Sequence, residues 1–253
     1  MLEVRSVSKS FNGVMAVDRV SASVERGEIV GLIGPNGAGK TTMFNLIAGS
    51  LRPSGGEIVL NGVALHNAPP HARIRRGLGR TFQIPRPFAG MTVLENVVFA
   101  AQRQTGESIL PNWFLPLRIA AEERRNVQKA MSLLELVTLE KLAHEPARIL
   151  SGGQRKLLEL ARILMADPEI ILLDEPAAGV NPALLEIIIA KIAEINRRGV
   201  TFLVIEHNME LVSQLCRRVL VMAGGRIMCE GTPAEVARDP RVIEAFLGGA
   251  VAA

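Results

Sequence analysis

The stretch Gly34-Pro35-Asn36-Gly37-Ala38-Gly39-Lys40-Thr41-Thr42 decides the fold of this chain. It matches the pattern G-x-x-x-x-G-K-[ST], and it lies between a short apolar run at residues 28–33 and a run with an apolar face at residues 43–48. A buried strand, a glycine-rich turn and a helix form the context in which this pattern binds phosphates. We therefore predict an α/β fold with a nucleoside triphosphate site at this loop.

The residue types of this phosphate loop indicate how it would work. Its glycines let backbone amides point inward around a polyphosphate, and the N-terminus of the following helix adds a favourable dipole. Lys40 is expected to reach the β- and γ-phosphates, and the Thr41 hydroxyl is expected to hold Mg²⁺. The predicted nucleotide-binding residues of the loop are Gly34, Pro35, Asn36, Gly37, Ala38, Gly39, Lys40, Thr41 and Thr42.

The composition is that of a globular protein. Of its 253 residues, 48% are hydrophobic and 21% are charged. This length and hydrophobic content are enough for a substantial core, and they argue against a disordered protein. No apolar stretch reaches the length of a transmembrane helix, and the N-terminus lacks the apolar block of a signal peptide. We therefore expect a cytosolic protein that meets a membrane only through a partner.

Charge and cysteine content argue against two other classes of protein. The net charge of +4 falls short of a nucleic-acid signature, and the absence of tyrosine argues against a base-stacking surface. Cys216 and Cys229 have no metal-ligand spacing, so free thiols in a reducing compartment are expected. No nucleic-acid partner is expected.

The pattern of apolar residues predicts a single domain, residues 1–253, with three parts. Residues 1–83 and 151–253 form the α/β core, whose N-terminal strands and hairpins form an antiparallel side sheet. Residues 84–150 form an inserted helical subdomain, because residues 94–101 and 120–137 have helical apolar spacing.

Three local patterns complete this outline. A basic run of four arginines, Arg73, Arg75, Arg76 and Arg80, is interpreted as a solvated helix face. Thr232 and Glu235 predict a capping box at the start of a helix. A last helix at residues 242–247 is expected to end at Gly248-Gly249.

Two further motifs contain candidate catalytic or phosphate-binding residues. The apolar strand at residues 170–173 delivers Asp174 and Glu175 at its carboxyl end, where one carboxylate can hold Mg²⁺ and the next can polarise water. Leu150-Ser151-Gly152-Gly153-Gln154 is a second element able to bind phosphate, since Ser151 would cap a helix whose first turn is glycine. One nucleotide needs only one such element, so a second one requires an explanation.

Taken in order, these motifs resemble the nucleotide-binding subunits of ATP-binding cassette (ABC) transporters, which have a P-loop NTPase fold. The resemblance covers essentially the whole chain and adds a glutamine loop centred on Gln83, a loop at Ala178-Gly179-Val180-Asn181 and a switch histidine, His207. Within the family, the chain is most similar to the ATPase subunits of branched-chain amino acid importers. The features that suggest this are residues 174–182, residues 205–209, the insert around Trp113 and the tail at 241–248.

The resemblance implies ATP and Mg²⁺ as cofactors, and it explains the second phosphate element. Two subunits would pair head to tail, each signature motif (Leu150–Gln154) closing over the ATP in the other subunit's phosphate loop. The implied catalytic residues are Glu175 as general base, His207 at the γ-phosphate and Gln83 as a sensor of metal and water. The implied metal-binding residues are Thr41, Gln83 and Asp174, and the implied nucleotide-binding residues outside the phosphate loop are Phe11, Ser151, Gly152, Gly153 and Gln154.

Three positions depart from the usual pattern of the family. Phe11 replaces a common tyrosine, Asn181 replaces an aspartate at the dimer seam, and Asn208 replaces an aspartate after the switch histidine. None of the three is implied to contact phosphate, metal or the base, so we expect activity to be retained.

The resemblance therefore implies an ATPase that drives a membrane importer, with branched-chain amino acids as the expected cargo. Its expected partners are transmembrane permease subunits, a second identical or sister ATPase subunit and, indirectly, a solute-binding protein, at the cytoplasmic face of the membrane. The Gln83–Phe88 loop and the helical insert are expected to touch the permease. Two alternatives remain: the same type of ATPase serving urea, amides or lipid export, or a soluble ABC-type ATPase acting on nucleic acid.

Overall fold

The computed structural model describes residues 1–65, 67–81, 85–107, 113 and 115–251. The chain forms two compact units. The core unit comprises residues 1–83, 169–178 and 192–253, and the helical unit comprises residues 84–168 and 179–191. The helical unit extends beyond the predicted range of 84–150, because the helix that follows Ser151 packs against helices from that range.

An antiparallel sheet lies in the core unit, as predicted. Its strands are β1 (Leu2–Phe11), β2 (Val14–Val24), β4 (Gly55–Leu60) and β5 (Val63–Ala64), in the order β2-β1-β4-β5. Leu2 and Val4 alternate with polar neighbours along β1, and these apolar side chains enter the core. Such alternation is typical of an antiparallel sheet with one face on the core.

A second, mostly parallel sheet carries the phosphate loop. It consists of β3 (Ile29–Ile33), β6 (Leu78–Arg80), β7 (Ile170–Asp174), β8 (Thr201–Ile205), β9 (Arg218–Ala223) and β10 (Arg226–Gly231), in the order β10-β9-β3-β8-β7-β6. All pairs are parallel except β9 with β10. Every residue of β3, β7 and β8 is buried, which explains why these strands have continuous apolar runs rather than alternation.

Helices complete both units. The core unit contains α1 (Lys40–Ala48), α2 (Pro70–Ile74), α7 (Met209–Leu215), α8 (Pro233–Val236) and α9 (Pro240–Val251). The helical unit contains α3 (Val93–Val98), α4 (Pro116–Leu136) and α5 (Gly152–Leu164), while α6 (Pro182–Arg197) belongs partly to each unit. Within the described ranges, none of the helices combines the length and apolar character that crossing a membrane requires.

Of the two predictions for the C-terminal helices, one is confirmed and one is wrong. Thr232 and Glu235 form the predicted capping box of α8. The prediction that the last helix ends at Gly248-Gly249 is wrong, because α9 continues through both glycines to Val251. A glycine inside a helix costs only about 1 kcal/mol relative to alanine, so two glycines without a proline after them need not end a helix.

The interpretation of the basic run is wrong for Arg73 and for Arg80, which ends strand β6 with its side chain 12% exposed. Arg75 and Arg76 are exposed as expected. Arg73 is 1% exposed. Its guanidinium donates to the carbonyl oxygens of Leu46 at 2.8 Å and Ile47 at 2.5 Å, at the end of α1. The last carbonyls of a helix lack intrahelical partners and carry partial negative charge, so a buried cation stabilises this end of the phosphate-loop helix.

Candidate functional site

The glycines of the phosphate loop have backbone conformations that other residues rarely adopt. The φ angles are +149° at Gly34, +77° at Gly37 and +97° at Gly39, the residue that precedes α1. A Cβ atom at Gly34 would lie 2.1 Å from the carbonyl oxygen of Met222, and one at Gly39 would lie 2.3 Å from that of Ala16. These two positions therefore require glycine for space as well as for conformation.

The loop is supported by segments far away in sequence. Gly225, in the turn between β9 and β10, donates its amide to the carbonyl oxygen of Ala38 at 3.1 Å. The same glycine accepts a hydrogen bond from the amide of Asp18 at 2.8 Å. The shape of the phosphate loop thus depends on β2 and on the hairpin at the C-terminal side of the sheet.

Lys40 is buried inside its own loop. Its Nζ donates to the carbonyl oxygens of Gly34 at 2.7 Å and Pro35 at 2.9 Å. Burial lowers the pKa of Lys40, and the nearby carboxylates of Glu175 and Asp174 oppose that shift. A buried cation whose hydrogen-bond partners are neutral carbonyls fits a bound polyphosphate, because phosphate oxygens would give it charged hydrogen-bond acceptors.

Asp174 ends β7 and is 7% exposed. Its amide donates to Thr81 Oγ1 at 3.0 Å, and its Oδ2 lies 3.4 Å from the guanidinium of Arg80. Arg80 also donates to Asn45 Oδ1 at 2.6 Å, and Asn45 belongs to α1. The arginine therefore connects the phosphate-loop helix to the predicted metal ligand.

These residues also fit Mg²⁺. The Asp174 carboxylate and the Thr41 hydroxyl, in the first turn of α1, are oxygen ligands of the kind that Mg²⁺ prefers. Arg80 is a residue of the site that the sequence did not predict, since it was interpreted as part of a solvated helix face. Its one signal was an arginine at the end of the basic run, directly before Thr81 and the predicted glutamine loop.

Glu175 and His207 lie next to each other at the carboxyl ends of β7 and β8. Glu175 Oε1 is 3.3 Å from His207 Nε2, and both side chains are partly exposed. Glu175 has a φ of +49°, and its amide donates to the carbonyl oxygen of Ile205 at 3.0 Å. A carboxylate beside an imidazole, with access to solvent, can take a proton from water.

Two of the positions that depart from the usual pattern of the family have clear local roles. Phe11 ends β1 and is 43% exposed, so its ring can be reached by a stacking partner. Lys9 Nζ lies over this ring, 5.1 Å from its centroid. Asn208 caps α7, because its Oδ1 accepts from the amides of Glu210 at 2.9 Å and Leu211 at 3.1 Å. Asparagine performs this capping as well as aspartate does.

The signature motif belongs to the helical unit. Ser151 caps α5 with a capping box: Ser151 Oγ accepts from Gln154 N at 3.3 Å, and Gln154 Oε1 accepts from Ser151 N at 2.9 Å. Gly153 is buried, and a Cβ there would lie 2.0 Å from Leu184 Cδ2. Gly152 is exposed, and its amide is in the first turn, where helices lack intrahelical acceptors.

The remaining predicted positions are Asn181 and Gln83. Asn181 is also part of the helical unit, and its Oδ1 accepts from Leu184 N at 2.9 Å, which caps α6. Gln83 lies outside the described residues, so its role stays a prediction. The structure thus brings Lys40, Asp174, Glu175 and His207 to one edge of the parallel sheet in the core unit, and it puts the signature motif at an exposed helix start of the other unit.

Known proteins resemble the chain over nearly its whole length. Residues 17–178 match the family model described as ABC transporter, and residues 226–252 match one described as branched-chain amino acid ATP-binding cassette transporter. The "Probable branched-chain amino acid transport ATP-binding protein LivG" of Archaeoglobus fulgidus is 41% identical, covering 98% of this chain and 95% of its own.

Two further proteins give the same result. The "High-affinity branched-chain amino acid transport ATP-binding protein BraF" of Pseudomonas aeruginosa is 40% identical, over 99% of this chain and 98% of its own. A crystal structure of the ADP conformation of an ATP-binding cassette of an ABC transporter is 38% identical. It superimposes with a TM-score of 0.84 over 98% of both chains.

Proposed function

The chain belongs to the ABC transporter family, and on that premise we propose that it is the ATP-hydrolysing subunit of an importer for branched-chain amino acids. The assignment of branched-chain amino acids as the cargo rests on the match of residues 226–252 to the branched-chain amino acid ATP-binding cassette transporter model. The names of relatives about 40% identical over almost the whole chain support it.

The phosphate loop binds ATP in this proposal. Lys40 exchanges its bonds to the carbonyl oxygens of Gly34 and Pro35 for bonds to phosphate oxygens, and the amides of residues 36–42 surround the phosphates. Phe11 stacks on the adenine. The hydrogen bond from Gly225 N to Ala38 O already supports the loop, so little backbone rearrangement is expected on binding.

The carboxylates at the sheet edge serve hydrolysis. Thr41 and Asp174 would hold Mg²⁺, which would neutralise charge on the phosphates. Glu175 accepts the proton of the attacking water, and His207 orients the carboxylate and contacts the γ-phosphate. Gln83 senses metal and water.

Two subunits share each ATP. The exposed amide of Gly152 at the start of α5 is suited to bind phosphate, while the subunit's own ATP is already bound by its phosphate loop. Head-to-tail pairing gives this second phosphate element a use, with Ser151–Gln154 of one subunit closing over the ATP of the other. Asn181 then lies at the seam of the pair.

The other partners are membrane components. The chain acts at the cytoplasmic face of the membrane, bound to permease subunits, and a solute-binding protein delivers the amino acid to that permease. The segment that ends at Phe88 and the helical insert supply the contact with the permease. Phe88 and Phe99 are both exposed and pack edge to face at 4.9 Å, which presents an apolar surface in the helical unit.

Purification of the tagged chain from solubilised membranes tests the proposed cargo. We expect a multi-spanning permease to co-purify, and we expect the solute-binding protein of that permease to bind leucine, isoleucine or valine in calorimetry. Urea and acetamide serve as control ligands. Binding of urea or acetamide instead would contradict the proposed cargo. Salt-sensitive nucleic-acid binding without a permease would contradict the proposed role in transport.

The substitution Gly152→Asp tests the shared ATP site. A Cβ at Gly152 meets nothing closer than the carbonyl oxygen of Gly179 at 4.0 Å, and a carboxylate suits the first turn of a helix, so the fold should be unaffected. The new charge would repel the partner's phosphates. We expect ATP binding to the single subunit to be unchanged and hydrolysis to fall by at least about tenfold, since each 1.4 kcal/mol of repulsion is a factor of ten.

Gly90→Asp is the matched control, because Gly90 is exposed in the same unit and its Cβ would have open space. It should leave hydrolysis and ATP-dependent pairing, measured by light scattering, at wild-type levels. Normal turnover in Gly152→Asp would show that the signature motif does not face phosphate.

A further inference from the structure

The carboxylate of Glu206, between β8 and α7, has no role in the proposed chemistry described above. This residue is 3% exposed, and its carboxylate accepts hydrogen bonds from three backbone amides. Oε1 accepts from Ala177 N at 2.7 Å, while Oε2 accepts from His207 N at 2.8 Å and Asn208 N at 3.0 Å. Burial penalises a carboxylate, and three amide donors offset that penalty.

The three amides belong to two different loops. Ala177 lies in the loop that follows Glu175, whereas the amides of His207 and Asn208 begin the segment that leads into α7. A single side chain therefore connects the backbone next to the general base with the backbone of the histidine. A neutral residue could accept some of these bonds, but only a carboxylate offers two acceptor oxygens and no donor.

The loop after Glu175 starts from a strained conformation. Glu175 has a φ of +49°, in the left-handed region that residues with a side chain rarely adopt. Its amide donates to Ile205 O at 3.0 Å, and its carbonyl oxygen accepts from Ala178 N at 3.1 Å. Strain of this kind persists only where neighbouring groups hold the backbone, and here they are the end of β8 and Glu206.

We propose that Glu206 is a positioning residue for ATP hydrolysis, which couples the loop after the general base to the switch histidine. Through the backbone, it sets the 3.3 Å separation of Glu175 Oε1 and His207 Nε2. The loop continues to Asn181, which by the proposed function lies at the seam of the pair. The coupling therefore lets the arrival of the partner subunit reposition His207. This inference rests on the proposed ATPase function.

Glu206→Gln separates the two halves of the coupling. A glutamine can keep its carbonyl oxygen at the Oε2 position and still accept from His207 and Asn208. Its NH₂ group then faces the backbone N–H of Ala177. Both groups are donors, so the hydrogen bond to the loop after Glu175 is lost. We expect kcat to fall about ten- to a hundredfold, the scale on which a small misplacement of a reacting group acts. The KM for ATP should change by less than about twofold, because the phosphate loop is untouched.

Glu210→Gln is the matched control, since Glu210 is an exposed carboxylate in the first turn of α7, and it should keep wild-type kcat. A double mutant distinguishes positioning from a structural role. In a His207→Ala background, Glu206→Gln should lower kcat by less than about twofold further, because residues that act as a unit are not additive.

Wild-type kcat in Glu206→Gln, or the same fold loss with and without His207, would overturn the coupling while leaving the ATPase function intact. A wild-type chain that does not hydrolyse ATP would overturn both. If Glu206→Gln does not fold, Glu206→Asp replaces it: the carboxylate is kept but is one methylene shorter, and the same kcat and double-mutant criteria apply.

Discussion

Replacing Glu175 by glutamine is expected to slow ATP hydrolysis by about a hundredfold or more, the usual scale for removing a general base. Glutamine has nearly the same shape, so it can remain beside His207 and adopt the same backbone conformation. It cannot accept the proton of the attacking water. The phosphate loop is unchanged, and ATP should therefore bind with wild-type affinity.

Two measurements check this expectation. Single-turnover kinetics should show a slow chemical step, and a titration with ATP should show an unchanged Kd. Because bound ATP persists, the ATP-bound pair of subunits should accumulate in gel filtration. Glu210→Gln makes the same change of charge at an exposed site and should retain wild-type turnover. Wild-type turnover in Glu175→Gln would assign the base elsewhere.

Lys40→Ala is expected to lose ATP affinity. Lys40 Nζ donates to the carbonyl oxygens of Gly34 and Pro35, and burial lowers its pKa. Burial thus disfavours its charge, although the carboxylates of Glu175 and Asp174 oppose this effect, and phosphate oxygens would give it charged hydrogen-bond acceptors. One charge-assisted hydrogen bond contributes about 1.5–3 kcal/mol, so Kd should rise by roughly ten- to a hundredfold or more.

Thermal unfolding separates binding from stability. Without nucleotide, Lys40→Ala should unfold at a Tm close to that of the wild type, because the substitution removes a buried charge together with its two hydrogen bonds. Adding ATP should raise the Tm of the wild type and of the exposed-site control Lys141→Ala, but not that of Lys40→Ala. An equal ATP-induced rise in all three proteins would contradict the assigned role of the lysine.

The sequence predicts those parts of the protein that depend on local physics. The strand, loop and helix around Lys40 follow from a buried apolar run, glycines and a helix pattern, all within twenty residues of each other. The capping boxes at Ser151 and Thr232 likewise need only residues three apart. Buried parallel strands such as β7 are visible because both faces are apolar.

Long-range partners could not be predicted in this way. The burial of Arg73 depends on the carbonyl oxygens of Leu46 and Ile47, which come from another helix. The contact of Glu206 with Ala177 joins residues that are neighbours only because β7 and β8 are adjacent in the sheet. A charged residue in a sequence is usually a solvated one, and the exceptions are set by tertiary structure.

The support of the phosphate loop by the β9–β10 hairpin has a consequence for biosynthesis. Gly34 packs against the carbonyl oxygen of Met222, and Gly225 donates to that of Ala38, so the phosphate loop depends on residues that are translated much later. Chains emerge from the ribosome N-terminus first. A nascent chain therefore carries the complete ATP-binding motif long before it has the hairpin that gives the motif its shape. We therefore expect ATP binding to begin only after the hairpin has been synthesised.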